Sequence, residues 1–145
     1  MDSKIQIRVF SLSSKDIFLP NRLDNAIYWL MKKGNNCYYF RERKPKDFPA
    51  GSIALFSFEG RFFGQAITNE EVLPLSEEEQ KRVKRETGFL YTGTVRFEPS
   101  SIDVFSKYPK KKDVEKRIRK SLSRNLITVT WDEYQEILKM AERRP

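Results

Sequence analysis

Three aromatic residues, Tyr38, Tyr39 and Phe40, stand directly before Arg41, Arg43, Lys44 and Lys46. Rings stack on nucleobases and cations neutralise phosphates, so this spacing suits contact with a nucleic acid strand. The competing reading puts part of the trio in a core. In a strand, Tyr38 and Phe40 would share one face and Tyr39 the other, so at least one ring is expected inside. A second basic stretch runs from Lys107 to Lys120 and contains the loop residues Lys110, Lys111 and Lys112. It is a candidate phosphate track, with a plain solvated charge run as the equal alternative.

Catalytic chemistry has less to work with. The chain has no His and a single Cys, Cys37. The commonest general base and metal ligand is therefore missing, an intramolecular disulfide is impossible, and a zinc site is close to excluded. No Gly-rich phosphate loop follows a strand, and no nucleophile elbow is present. A metal nuclease built on Asp, Glu and Lys is allowed in principle, but the carboxylates sit among Lys and Arg as on ordinary solvated faces. No catalysis, cofactor or metal is expected of the chain itself.

The charge balance points the same way. Among 145 residues, 28 Lys and Arg outnumber 20 Asp and Glu, for a net charge of +8. A basic domain favours polyanions, with nucleic acid ahead of an anionic membrane surface. The bland alternative is a surface solvated by Lys and Glu, as in heat-adapted proteins. The length fits one domain over residues 1–145, able to enclose a core without staples. No stretch approaches the ~20 apolar residues of a membrane span, and the N-terminus has no signal-peptide core, so a cytoplasmic protein is expected.

These residues need elements to hold them. Ile5, Ile7 and Val9 alternate with Gln6, Arg8 and Phe10, which predicts a strand from Lys4 to Leu12. A helix is expected from Pro20 to Gly34, with Leu23, Ile27, Leu30 and Met31 on one face. The trio at 38–40 is a short strand or an extended loop. Ile53–Phe58 and Arg61–Ile67 flank Glu59-Gly60 and read as a hairpin, with Gly64 marking a bulge or a close backbone approach. Phe56, Phe58, Phe62 and Phe63 read as core. Ser76 and three glutamates open a short helix. Strands are expected over 89–97, 102–105 and 126–129. Asp113 is expected to cap a helix to about Leu122, and a last helix starts at Thr130, with Tyr134, Ile137, Leu138 and Ala141 inward. Trp29 and Trp131 are both expected to pack.

The segments Pro49-Ala50-Gly51-Ser52-Ile53-Ala54-Leu55-Phe56-Ser57-Phe58 and Gly60-Arg61-Phe62-Phe63-Gly64-Gln65-Ala66 give this layout a family likeness. It resembles the PUA-like superfamily of EVE, ASCH and YTH domains, in which a Gly enters the strand after the first helix and the hairpin ends in x-x-Gly-x-Ala. Gly51 and Gly64-Gln65-Ala66 stand in those places. The segment from Leu126 to Thr130 and the last helix look like the closing strand and helix of an EVE domain. Residues 69–88 have no counterpart.

The resemblance implies an α+β fold, a mixed sheet curled into a pseudo-barrel with flanking helices and a hollow for one nucleotide. It implies recognition of a modified, methylated base in DNA, flipped from the stack at a cost of a few kcal/mol. Similar domains stand at the front of modification-dependent restriction enzymes of the McrBC or HNH type, so a fused or partner nuclease or NTPase is implied too. Carried over residue by residue, Ser11 and Ser13 would meet a base edge. Tyr38, Tyr39 or Phe40 would supply the first cage wall, and Phe89 and Tyr91 the second. YTH domains use Trp at the first position and this chain does not, which leaves the modification open. The alternatives are an RNA-binding domain of the same fold, or an interaction module for an acidic protein.

Overall fold

The computed structural model describes residues 5–12, 37–40, 48–88 and 90–141. The side chains of Cys37, Tyr39 and Thr87 lie outside that set, as does the helix expected from Pro20 to Gly34, including Trp29. Strand β1 (Ile7–Leu12) is short and apolar on both sides, which suits a central place in a sheet. It pairs in parallel with β3 (Ile53–Phe58), Ile7 opposite Ile53 and Ser11 opposite Ser57. β3 returns through the hairpin to β4 (Arg61–Ile67). With β7 (Asp103–Val104) and β8 (Thr128–Val129) at its edges, the sheet runs β7-β4-β3-β1-β8. A second sheet runs β2-β6-β5, built from β2 (Cys37–Phe40), β6 (Gly93–Arg96) and β5 (Leu73–Pro74).

The hairpin turns on two residues with positive φ, Glu59 at 48° and Gly60 at 74°. This is the primed turn whose twist matches the strands. Beyond it, Ser57 faces Phe62 while Phe56 faces Gly64, so Phe63 is an extra residue in β4. Ordinary alternation sends the two adjacent phenylalanines to opposite sides of the sheet, and the bulge shifts the register of the residues that follow. Phe62 joins the cluster under the helices and Phe63 the aromatic interior. The expectation attached to Gly64 is met at the neighbouring residue.

Alternation divides the central sheet into two faces. Phe10, Leu12, Ala54, Phe56 and Phe58 point between the sheets, where they meet Tyr38, Phe40, Phe48, Val95 and Phe97. The Phe10 ring lies 4.8 Å from Tyr38, 5.6 Å from Phe48 and 5.8 Å from Phe56, tilted or edge-on as ring quadrupoles prefer. Backbone bonds join the sheets along one side. Thr68 bridges Phe97, the Asn69 N–H donates to the Arg96 carbonyl at 3.1 Å, and the Glu98 N–H donates to that of Ile67 at 2.8 Å. The result is the curled mixed sheet that the sequence led us to expect.

Ile7, Val9, Ile53, Leu55 and Phe62 form the other face, covered by α2 (Lys111–Ile118) and α3 (Trp131–Met140) through Val114, Tyr134 and Ile137. The buried Tyr134 hydroxyl donates to Gln65 Oε1 at 2.6 Å. α1 (Glu77–Thr87) is capped by Ser76, ends at Gly88 with φ 80°, and tucks Val83 against Leu75 and Tyr91.

Four element expectations need correction. Asp113 does not cap α2. The backbone of Lys110 bridges Arg61 and the Lys111 N–H donates to the Gly60 carbonyl at 2.7 Å, so the hairpin fixes where the helix starts and Asp113 falls in its first turn. The helix stops at Ile118, because Arg119 turns left-handed at φ 57°. Leu126 does the same at φ 63°, which shortens the expected strand 126–129 to β8. The strand expected over 89–97 is regular only over Gly93–Arg96.

Candidate nucleic-acid interface

β1 and β3 each change character at one position. After Ile7 and Val9 on one strand, and Ile53 and Leu55 on the other, the next residue on the helix side is a serine. The parallel register puts Ser11 directly opposite Ser57. The Ser57 hydroxyl, fully buried, donates to Ser11 Oγ at 3.3 Å. The Ser11 backbone N–H donates to Asn125 Oδ1 at 2.9 Å, replacing a ladder bond that β8 is too short to make. Asn125 Oδ1 also accepts from the Leu126 N–H at 3.0 Å, in the left-handed corner.

The hairpin then delivers a cation to this pair. Because the Gly60 carbonyl and Arg61 hold the start of α2, the first residue of that helix arrives over the strand ends. Lys111 Nζ donates to Ser11 Oγ at 3.2 Å, across 100 positions of sequence, and stands 6.0 Å from the centre of the Phe62 ring. Burial pushes the Lys111 ammonium below the ordinary lysine value, and the Glu115 carboxylate opposes that only in part. An ammonium has three donors, and Ser11 Oγ is the acceptor described for it. The cluster therefore offers N–H and O–H groups to an acceptor-rich ligand, such as a phosphate oxygen or a base edge.

The expected site residues do not all converge here. Ser11 and Lys111 meet, while Lys110 and Lys112 flank them on the surface. Tyr38 and Phe40 lie on the opposite face of the central sheet, at 7% and 1% exposure, packed around Phe10. Tyr91 is also interior, beside Leu75 and Val83. These three rings cannot present a free face as cage walls. The alternation that turns Ser11 toward the helices turns Phe10 and Leu12 toward those rings. Ser13, Arg41, Arg43, Lys44, Lys46 and Phe89, and the side chain of Tyr39, lie outside the described residues.

Two partners of the site were missed at the level of sequence. Ser57 is a lone hydroxyl in an apolar run, a signal that becomes legible once β1 and β3 are known to be parallel. Asn125 stands just before the expected strand 126–129, and nothing in the sequence set it apart. Trp131, expected to pack, is instead 58% exposed at the start of α3.

No family model matches the chain, and no curated protein matches it in sequence. Solved structures do match in fold. ASCH from Zymomonas mobilis aligns with a TM-score of 0.60 at 11% identity, covering 93% of this chain and 95% of that one. The YTH domain of a Zygosaccharomyces rouxii protein, solved in complex with N6-methyladenosine RNA, aligns at 0.51 and 15% identity, covering 97% and 90%. The N-terminal domain of Thermococcus gammatolerans McrB, bound to m5C DNA, aligns at 0.51 and 11% identity, covering 94% and 97%.

Proposed function

From the PUA-like fold that this chain shares with ASCH and YTH domains and the McrB N-terminal domain, we propose that it is a non-catalytic nucleic-acid-binding domain that recognises a modified base. The observation that carries the reading is the meeting of Ser11, Ser57 and Lys111 at the ends of two parallel strands, beside the most basic stretch of the chain. A methylated base in DNA leaves the stack and presents its polar edge to Ser11, while Lys111 takes a carbonyl or phosphate oxygen. Lys110 and Lys112, with Arg41, Arg43, Lys44 and Lys46, hold neighbouring phosphates. Tyr39 and Phe89 are the candidate rings against the base, while Tyr38, Phe40 and Tyr91 are packed in the interior away from Ser11 and do not touch it. In this reading residues 1–145 form one specificity module of a restriction system, acting with a fused or partner nuclease or NTPase.

Titration of labelled methylated and unmethylated oligonucleotides tests this. Tighter binding of the methylated one supports it, whereas binding of both only above the ~10⁻⁴ M range of non-specific association contradicts it. The RNA reading has its own support, since one fold neighbour was solved with N6-methyladenosine RNA. Competition between matched RNA and DNA strands separates the two, because only RNA offers a 2′-hydroxyl.

A further inference from the structure

From Lys110 to Arg124 the chain carries eight Lys and Arg against Asp113 and Glu115, so this stretch holds most of the net charge of +8. Its cations fall into two groups. Lys111 is held by Ser11, Arg117 pairs with Glu136 at 3.1 Å, and Lys120 pairs with Glu133 at 3.0 Å and donates to the Thr128 carbonyl at 2.7 Å. Lys112, Lys116 and Arg119 are exposed, and among the described residues none has a carboxylate in ion-pair reach. Their spacing of four and three places them along one line of α2 and just past its end, where like charges repel. Arg119 further occupies a left-handed position that glycine would fill without strain. The fold thus bears two costs to keep in a row three cations that no described carboxylate neutralises.

A shallow groove of about 440 Å³ runs beside the first two, lined by Lys112, Glu115, Lys116, Lys120 and Ser121. Lys120, one of the lining residues, also grips the Thr128 carbonyl and Glu133 in the first turn of α3, the helix that Trp131 begins. The indole lies 5.4 Å from the Tyr134 ring, centre to centre, and is otherwise open.

We infer that Lys112, Lys116, Arg119 and Trp131 form a second contact for single-stranded nucleic acid, which shares Lys112 with the phosphate flank of the Ser11 site and extends beyond it. The three cations take consecutive phosphates and Trp131 stacks one unpaired base, a contact indifferent to modification. This inference rests on the reading of the chain as a nucleic-acid binder.

The test uses the whole chain and an unmodified single-stranded thymidine oligonucleotide, titrated over a range of salt. The variant K112Q/K116Q is expected to flatten the slope of log K against log salt by about 1.4, at about 0.7 per phosphate lost. Arg119→Gly should flatten it by about half as much while melting no lower than the parent, which separates lost charge from lost fold. Trp131→Ala should weaken binding about five- to hundredfold with the slope unchanged. A parent chain that binds the strand, with slope and affinity untouched in all three variants, overturns this second contact alone. A parent chain that binds no oligonucleotide, modified or not, overturns the underlying reading as well.

Discussion

Among the described residues Lys111 donates to a hydroxyl and not to a carboxylate, and that bears on how it titrates. Burial lowers its pKa, so between the lowered value and 10.5 the unfolded chain holds the proton more tightly than the folded one. The burial cost is fully present below the lowered pKa and is relieved as pH rises through it. A phosphate oxygen beside Nζ would pull the other way and favour the charged form. Nucleic acid affinity should therefore fall as pH climbs through the lowered Lys111 pKa, before free lysine titrates. Lys111→Arg should hold its affinity across that range, because a guanidinium stays charged. Lys111→Met should bind at least about tenfold more weakly, the worth of a charged hydrogen bond, yet melt no lower than the parent. Binding isotherms between neutral and alkaline pH, with melting curves, check all three.

Among single residues, what the sequence made legible was Ser11 itself. The family resemblance, not the strand pattern, marked it for a base edge, together with Ser13. Its partners were hidden, because Ser57 lies 46 positions away and Lys111 lies 100, and only tertiary pairing joins them. The trio Tyr38 to Phe40 shows the opposite case. Ring types and cationic neighbours made a stacking site plausible, but burial is decided by what covers a face, and here the central sheet covers it.

At the level of elements, local chemistry was the better guide. Ser76 before three glutamates and Thr130 three residues before Glu133 both became real caps. Burial pushes the Glu133 carboxyl up, but the Thr130 N–H and the Lys120 ammonium outweigh it and hold it below the usual glutamate range. A carboxylate depressed in this way stabilises the fold above its unfolded pKa, and that stability is lost as pH falls through the folded value. Glu133→Gln keeps a capping residue but loses the ion pair. It should cost about 0.5–1 kcal/mol at neutral pH, with the gap to the parent closing in acid, as read by denaturant melts at two pH values. At the hairpin, Glu59 sits at φ 48°, where asparagine is more at ease. Glu59→Asn should raise stability by about 0.5–1 kcal/mol in the same assay. Asp113 misled for a reason of the same scale: a tertiary bond to Gly60 set the helix start three residues early, and no capping rule sees such a bond.

Across the molecule, one central sheet serves two purposes. Its inner face is filled with rings and carries stability. Phe10→Ala, which strips the ring from among Tyr38, Phe40, Phe48, Phe56 and Phe97, should cost about 3–5 kcal/mol in chemical denaturation, a large share of a domain's total. Its outer face runs out of apolar residues at Ser11 and Ser57 and gives way to cations. The fold class was legible because strand periods, turn residues and caps agreed with one another. The division of labour between the faces was not, since it depends on the parallel pairing of β1 with β3 and on which layer covers each face.

The most direct test is whether a base leaves the stack at Ser11. A duplex carrying one methylated base, with fluorescent 2-aminopurine beside it, brightens when its neighbour is unstacked. The parent chain should raise the emission, and Ser11→Ala and Lys111→Met should abolish most of the rise at matched saturation. A parent chain that saturates the duplex without changing the emission, or variants that raise it as fully as the parent does, would contradict the proposal.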